Sequence, residues 1–231
     1  MSVNPLVRRR MTLLVVTIAA LGLIALSGTR AGRAETGHGH ANAAGHGAVA
    51  NHKQAAFHDA MRKLWEDHIT WTRLAIVSFA ADGPDLAATE QRLLRNQVDI
   101  GNAIKPYYGR AAANQLTALL KQHILGAVAL LQAAKAGDQA LVQQRMKEWR
   151  VNGNAVADFL ARANPRHWPR KTMRRMMRMH LEQTVSEAVH RLQGDYAADV
   201  RDYDVIHHHI LAMADALSDG IIAQFPKRFG G

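Results

Sequence analysis

The chain has 231 residues, with 29 Lys and Arg against 19 Asp and Glu, 13 His and no Cys. That length holds one core or two small ones. The absence of Cys excludes disulfide scaffolds, thiolate metal sites and cysteine nucleophiles. A formal charge of +10 invites nucleic acid as a partner, but only 6% of the residues are aromatic, few for base stacking.

The first 34 residues read as a targeting segment. Arg8, Arg9 and Arg10 precede an apolar run from Met11 to Ser27, and small residues Gly32 and Ala34 follow. This is the layout of a signal peptide, or of a retained membrane anchor if the segment is not cleaved. It predicts an exported protein, periplasmic or held on the outer face of the inner membrane. Residues 1–34 contain five of the 29 basic side chains and none of the 19 acidic ones, so 24 and 19 remain, a net of +5. Most of the argument for nucleic acid leaves with the signal.

Residues 35–53 are rich in Gly, Ala and His and read as a flexible tether. His38, His40, His46, His52 and His58 form a loose set that can collect metal. The domain proper is expected over 54–226. There apolar residues recur every three or four positions, with no alternating strand pattern.

Turn signals divide this stretch into six helices: 54–81, 85–105, 110–136, 138–163, 170–193 and 196–225. Asp82-Gly83-Pro84, Gly137-Asp138 and Gly194-Asp195 each close one helix and open the next. Pro106 to Gly109 and Pro165 to Pro169 make the longer breaks. The fold expected is all-α: a six-helix bundle of three helical hairpins with a pseudo-three-fold internal repeat. His68, His123 and His180 align as its markers, each 14 residues before Asp82, Gly137 and Gly194 respectively.

Each of these histidines sits in the middle of an apolar helix face, such as Met61, Leu64, Trp71 and Ala75 around His68. A buried imidazole must satisfy both nitrogens. Two readings stand. The histidines are structural, bonded to Asn96, Asn152 and His209 on the second helix of each hairpin. Alternatively, the three converge and hold a transition metal, with Zn, Cu and Fe the candidates and those same groups orienting the rings. Transfer of protons by the histidines is a third role.

Other residues extend the candidate site. Tyr203 and the run His207-His208-His209 place His207 and His209 near one stripe of the last helix. Met173, Met176 and Met177 offer thioethers, which suit Cu(I) but also fill cores. Arg170, Lys171, Arg174, Arg175 and Arg178 fall within about 140° of arc on the fifth helix. This basic face is the basis of the alternative function, a non-catalytic envelope protein docking on anionic lipid or an acidic protein. No nucleophile elbow, phosphate loop, dinucleotide fingerprint, zincin motif or Glu-x-x-His pair is present, so no enzyme class is indicated.

Leu64-Trp65-Glu66-Asp67-His68-Ile69-Thr70-Trp71-Thr72-Arg73 and Asn102-Ala103-Ile104-Lys105-Pro106-Tyr107-Tyr108-Gly109 resemble motifs of an uncharacterised bacterial all-helical family. So do Leu93-Leu94-Arg95-Asn96, Ala133 to Asp138, and Gly194-Asp195-Tyr196. The resemblance spans roughly 60–225 and implies a helical domain with the three hairpin histidines in place. Members carry labels such as acetylglutamate kinase or glycosyltransferase, yet this chain has neither a nucleotide-binding glycine loop nor an α/β pattern. The methionine run and the histidine triplet depart from the family, so any copper chemistry would be particular to this chain.

Overall fold

The computed structural model describes residues 44–230. The signal and the start of the tether lie outside them. Five α-helices follow in order: α1 (Ala44–Ala80), α2 (Leu86–Ala136), α3 (Gln139–Ala163), α4 (Arg170–Gln193) and α5 (Tyr196–Gln224). A 3-10 turn, Pro226–Arg228, ends the chain. There is no strand among the described residues. Sequential helices pack on one another, α5 closes back on α1, and α1 also touches α4 across the interior.

Helix α1 begins ten residues ahead of the expected 54, within the tether. Ala44, Ala48, Ala50, Ala55 and Ala56 supply enough helix propensity to carry the helix through Gly45 and Gly47.

The helix count is five rather than six. The chain does not leave the helix at Pro106; α2 runs through and departs from helical angles only at Gly109 (φ 82, ψ 172). Only glycine takes that conformation without strain. Across the bend, Gly101 faces the Ala113 carbonyl and the Thr117 side chain so closely that an added Cβ would overlap them. The two halves of α2 therefore lie side by side.

The three short turns share one hydrogen-bond pattern. Gly137 N–H donates to Ala134 O and Asp138 N–H to Ala133 O; Gly194 and Asp195 do the same to Arg191 O and His190 O. This pair of hydrogen bonds closes a helix when the residue after it is left-handed. Asp138 and Asp195 then cap the next helix, each accepting a backbone N–H at 3.0 Å. In the first turn Asp82 (φ 53) takes the left-handed place of glycine, and its N–H and that of Gly83 donate to Phe79 O and Ser78 O. These three left-handed residues stand 14 positions after His68, His123 and His180 respectively.

At the end opposite these turns, aromatic rings seal the bundle. Phe57, Tyr107, Phe225 and Phe229 meet with ring centres 5.2–5.7 Å apart. Tyr108 sits between Phe225 and the buried Trp168. The core between the ends is built from Ile69, Ile100, Leu116, Leu120, Val156, Ile206 and Ile210, all buried.

Candidate functional site

His68, His123 and His180 are buried, at 3%, 3% and 4% exposure, on α1, α2 and α4. Their rings converge. His180 lies between the others, with ring centres 5.8 Å from His68 and 6.1 Å from His123. His209 on α5 adds a fourth ring 6.5 Å from His180, its plane turned by 22°. Burial follows from position: each histidine is flanked by large core residues, Trp65 and Ile69, Leu120 and Ile124, Met177 and Leu181.

The three imidazoles have different polar surroundings. His123 is the clearest case. Asn152 Oδ1 accepts from its Nδ1–H at 2.9 Å, while Asn152 Nδ2 donates to Leu119 O at 3.2 Å. The proton is thus fixed on Nδ1, and the buried Nε2 keeps its lone pair and has no partner. Trp149 stacks on the ring at 5.0 Å and donates its indole N–H to His123 O.

His68 meets Gln97, not Asn96. Gln97 Nε2 approaches His68 Nδ1 at 3.3 Å, and also Leu93 O at 2.9 Å and Asn96 Oδ1 at 3.2 Å. Two protons face three acceptors, so the longest contact, to His68, is the weakest. Gln97 Oε1 is buried with no partner. Asn96 serves the helix instead, donating to Leu64 O. On α4, His180 Nδ1 is buried and unpartnered, while His209 of α5 donates Nε2–H to Met176 O at 3.0 Å. Trp65, 5.7 Å from His68, holds a further buried N–H without a partner.

Burial keeps the rings neutral. Desolvation, and to a lesser degree the neighbouring His123, pushes His68 down to about 3; desolvation pushes His123 down to about 4, opposed by Asn152. His180 is lowered well below the ordinary value by desolvation and then by the other three rings. His209, half-buried, moves the same way by desolvation. Neutral imidazole is the ligating form. Among the described residues, however, no three His, Asp or Glu side chains already stand around a point in metal-binding geometry.

Other expected site residues lie elsewhere. His207 faces outward and pairs with Glu66 at 3.2 Å. Tyr203 bonds to none of the clustered histidines; it lies under the Arg73 guanidinium and beside His207. Met173, Met176 and Met177 pack with Met213, Leu160 and Leu217 around a void of about 10 Å³. Of the basic face, Arg170 and Arg174 both clamp Asp158 of α3 through paired bonds of 2.7–2.9 Å, and Arg178 stands 4.0 Å from Glu182. Those two guanidiniums hold the Asp158 carboxyl well below the usual range. Lys171 and Arg175 are exposed. His58 pairs with Asp215 and Asp219.

Sequence reasoning misses a buried ion network. Arg73 donates to Glu187 at 2.9 Å and to Asp199, and Arg191 reaches Asp199 at 3.4 Å. Both carboxylates are fully buried. Desolvation, only partly countered by Arg73, raises Glu187 to about 7, and its Oε2 has no partner. The available signal is the spacing of Arg73 and Glu187, five and seven residues after their hairpin histidines.

No protein-family model matches the chain, and no curated protein or solved structure is significantly similar to it.

Proposed function

We propose that the protein is a metal-binding module whose ion sits among His68, His123 and His180, with His209 as a fourth group. The observation that carries this reading is the pair of orphaned nitrogens, His123 Nε2 and His180 Nδ1, in the buried layer where four imidazoles meet. An unpartnered buried acceptor costs about 1–3 kcal/mol. A cation accepting those lone pairs removes the deficit.

The separations suit this. With a metal–nitrogen bond of about 2.0–2.1 Å, two imidazoles at a tetrahedral angle have ring centres about 5.2 Å apart. The His68–His180 and His123–His180 spacings of 5.8 and 6.1 Å exceed this by less than about 1 Å, and His68 and His123, on either side of His180, must close further for all three to share one ion. The Asn152 bond to His123 is the arrangement in which an outer group fixes the proton on one nitrogen and presents the other to a metal. His68 joins when Gln97 turns its amide, so that Oε1 accepts from Nδ1–H and Nε2 is released.

This reading treats the bundle as three hairpins, the bend at Gly109 separating the halves of α2, with one histidine and one partner from each. The expectation of export places the site outside the cytoplasm, where a Cys-free chain draws on imidazole. Docking through the basic face has less support, because Arg170 and Arg174 already hold Asp158.

Titration of the purified chain, stripped of metal, with Zn(II), Cu(II), Cu(I) and Fe(II) tests the proposal. One equivalent is expected to bind, with loss in His123→Ala and His180→Ala and retention in His207→Ala. Failure of all four ions to bind at one equivalent overturns it.

A further inference from the structure

A second feature adjoins the histidine layer. A cavity of about 50 Å³, partly open to solvent, lies between that layer and the turns at Asp82, Gly137 and Gly194. It is lined by Thr72, Ala127 and Thr184, each four residues after a hairpin histidine, and by Val128, Trp149 and Ala188 among other apolar side chains. Four residues are about one turn, so the cavity stands roughly 5.4 Å along the bundle from the imidazoles.

Its polar wall groups are already committed. Thr72 Oγ1 donates to His68 O and Thr184 Oγ1 to His180 O, both at 2.8 Å, and the Trp149 indole donates to His123 O. Both hydroxyls and the indole thus turn their hydrogens onto the helices that carry the histidines. The half-buried Glu90 is the one ionisable residue of the lining. Water is held in such a space by two to four polar partners, and this lining offers few free ones, so an apolar occupant is favoured there.

Size narrows the occupant. A cavity of about 150 Å³ admits benzene, whereas one water needs about 10–15 Å³. The volume here falls between, and suits a molecule of two or three heavy atoms. We propose that this cavity binds a small apolar molecule of the dioxygen class, held one helical turn from the histidine layer. What the molecule does there rests on the metal reading; whether it binds does not.

The test uses the full chain without metal. Saturable 129Xe chemical-shift changes are expected for the wild type and are lost in Ala127→Leu and in Ala188→Val, which fill the space from two helices. Dissolved dioxygen is expected to enhance relaxation of the buried Thr184 and Ala188 methyl signals more than those of Ala214 and Ile206, buried elsewhere in the core. Absence of saturable xenon binding, xenon binding unchanged in both variants, or uniform oxygen relaxation across these methyls overturns the proposal. Metal content measured on the same samples separates the two readings, since the xenon result is obtained with no metal present.

Discussion

Replacing Asn152 by Ala separates a structural histidine from a ligating one. The side chain does two things: Oδ1 accepts from His123 Nδ1–H at 2.9 Å, and Nδ2 donates to Leu119 O at 3.2 Å. Truncation leaves a donor on a ring that is 3% exposed without a partner. That loss is worth about 1–3 kcal/mol. Leu119 O retains its helical bond, so its share is small, and a total of about 2 kcal/mol is expected. For a domain of this size that corresponds to a fall in melting temperature of about 4–8 °C. Denaturant unfolding of the metal-free chain measures it. The second effect distinguishes the readings. Without Asn152 the His123 proton is no longer fixed on Nδ1, and outer groups of this kind typically govern 10–100-fold in metal affinity. A competitive titration is expected to show that weakening, with Asn152→Asp restoring binding because a carboxylate also accepts from Nδ1–H. A stability loss of the expected size with affinity unchanged would refute the assignment of Asn152 as an orienting group.

Acidification tests the buried rings: with His68 and His123 held down to about 3 and 4, the unfolded chain binds more protons below its ordinary value of 6.5. Their contribution is present above pH 6.5 and lost as pH falls toward 4, which urea unfolding at stepped pH should show and His123→Gln should diminish. Glu187 has the opposite sign: raised to about 7, it contributes stability below pH 4.5 that is lost as pH rises through 7, and Glu187→Gln should flatten that upper limb. Arg73→Met strands Glu187 and Asp199 in the core and is expected to lower stability by about 3–5 kcal/mol, read by denaturant unfolding. Gly220→Ala places a Cβ against the Trp168 indole and should lower stability by about 1–3 kcal/mol. Arg170→Ala, by contrast, should leave the denaturant midpoint nearly unchanged, because exposed ion pairs are weak and Arg174 keeps its hold on Asp158.

What the sequence disclosed depended on whether a residue's role was local. The left-handed Gly137 and Gly194 were legible because the residue types that close one helix and cap the next act within a few positions of each other, whereas at Asp82-Gly83 the non-glycine residue takes the left-handed place. The convergence of His68, His123 and His180 was legible because a polar residue centred on an apolar face points into the core. Gln97 was missed in favour of its neighbour Asn96: both are fully buried, and their helical directions differ by about 100°. His207 was included with His209 although two positions on a helix differ by about 200°, which sends one inward and the other to Glu66. The Arg73 network was illegible because charged residues are almost never fully buried unless paired, and the pairing here is spread over three helices. Arg170 and Arg174 read as a free basic face because their partner, Asp158, lies on a different helix and no periodicity of their own reveals it.

The geometry also supplies a register finer than the turn spacing. Gln97 and Asn152 each stand 29 residues after the histidine they touch, and His209 stands at the same distance from His180. After His68 and His123 that position carries an amide, which can give or accept a hydrogen bond at one nitrogen of the imidazole. After His180 it carries another imidazole, which bonds instead to Met176 O. His180 Nδ1 is left without a partner as a consequence. Replacing an amide by a ring at this one position is a poor solution to packing a histidine. It is a good one for adding a lone pair to a cluster, since His209, with its proton on Nε2, keeps Nδ1 for an incoming cation. The defect and the proposed function therefore have the same origin. His209→Asn, the residue the second hairpin uses, should repair the first and impair the second, raising the stability of the metal-free chain while weakening its hold on metal.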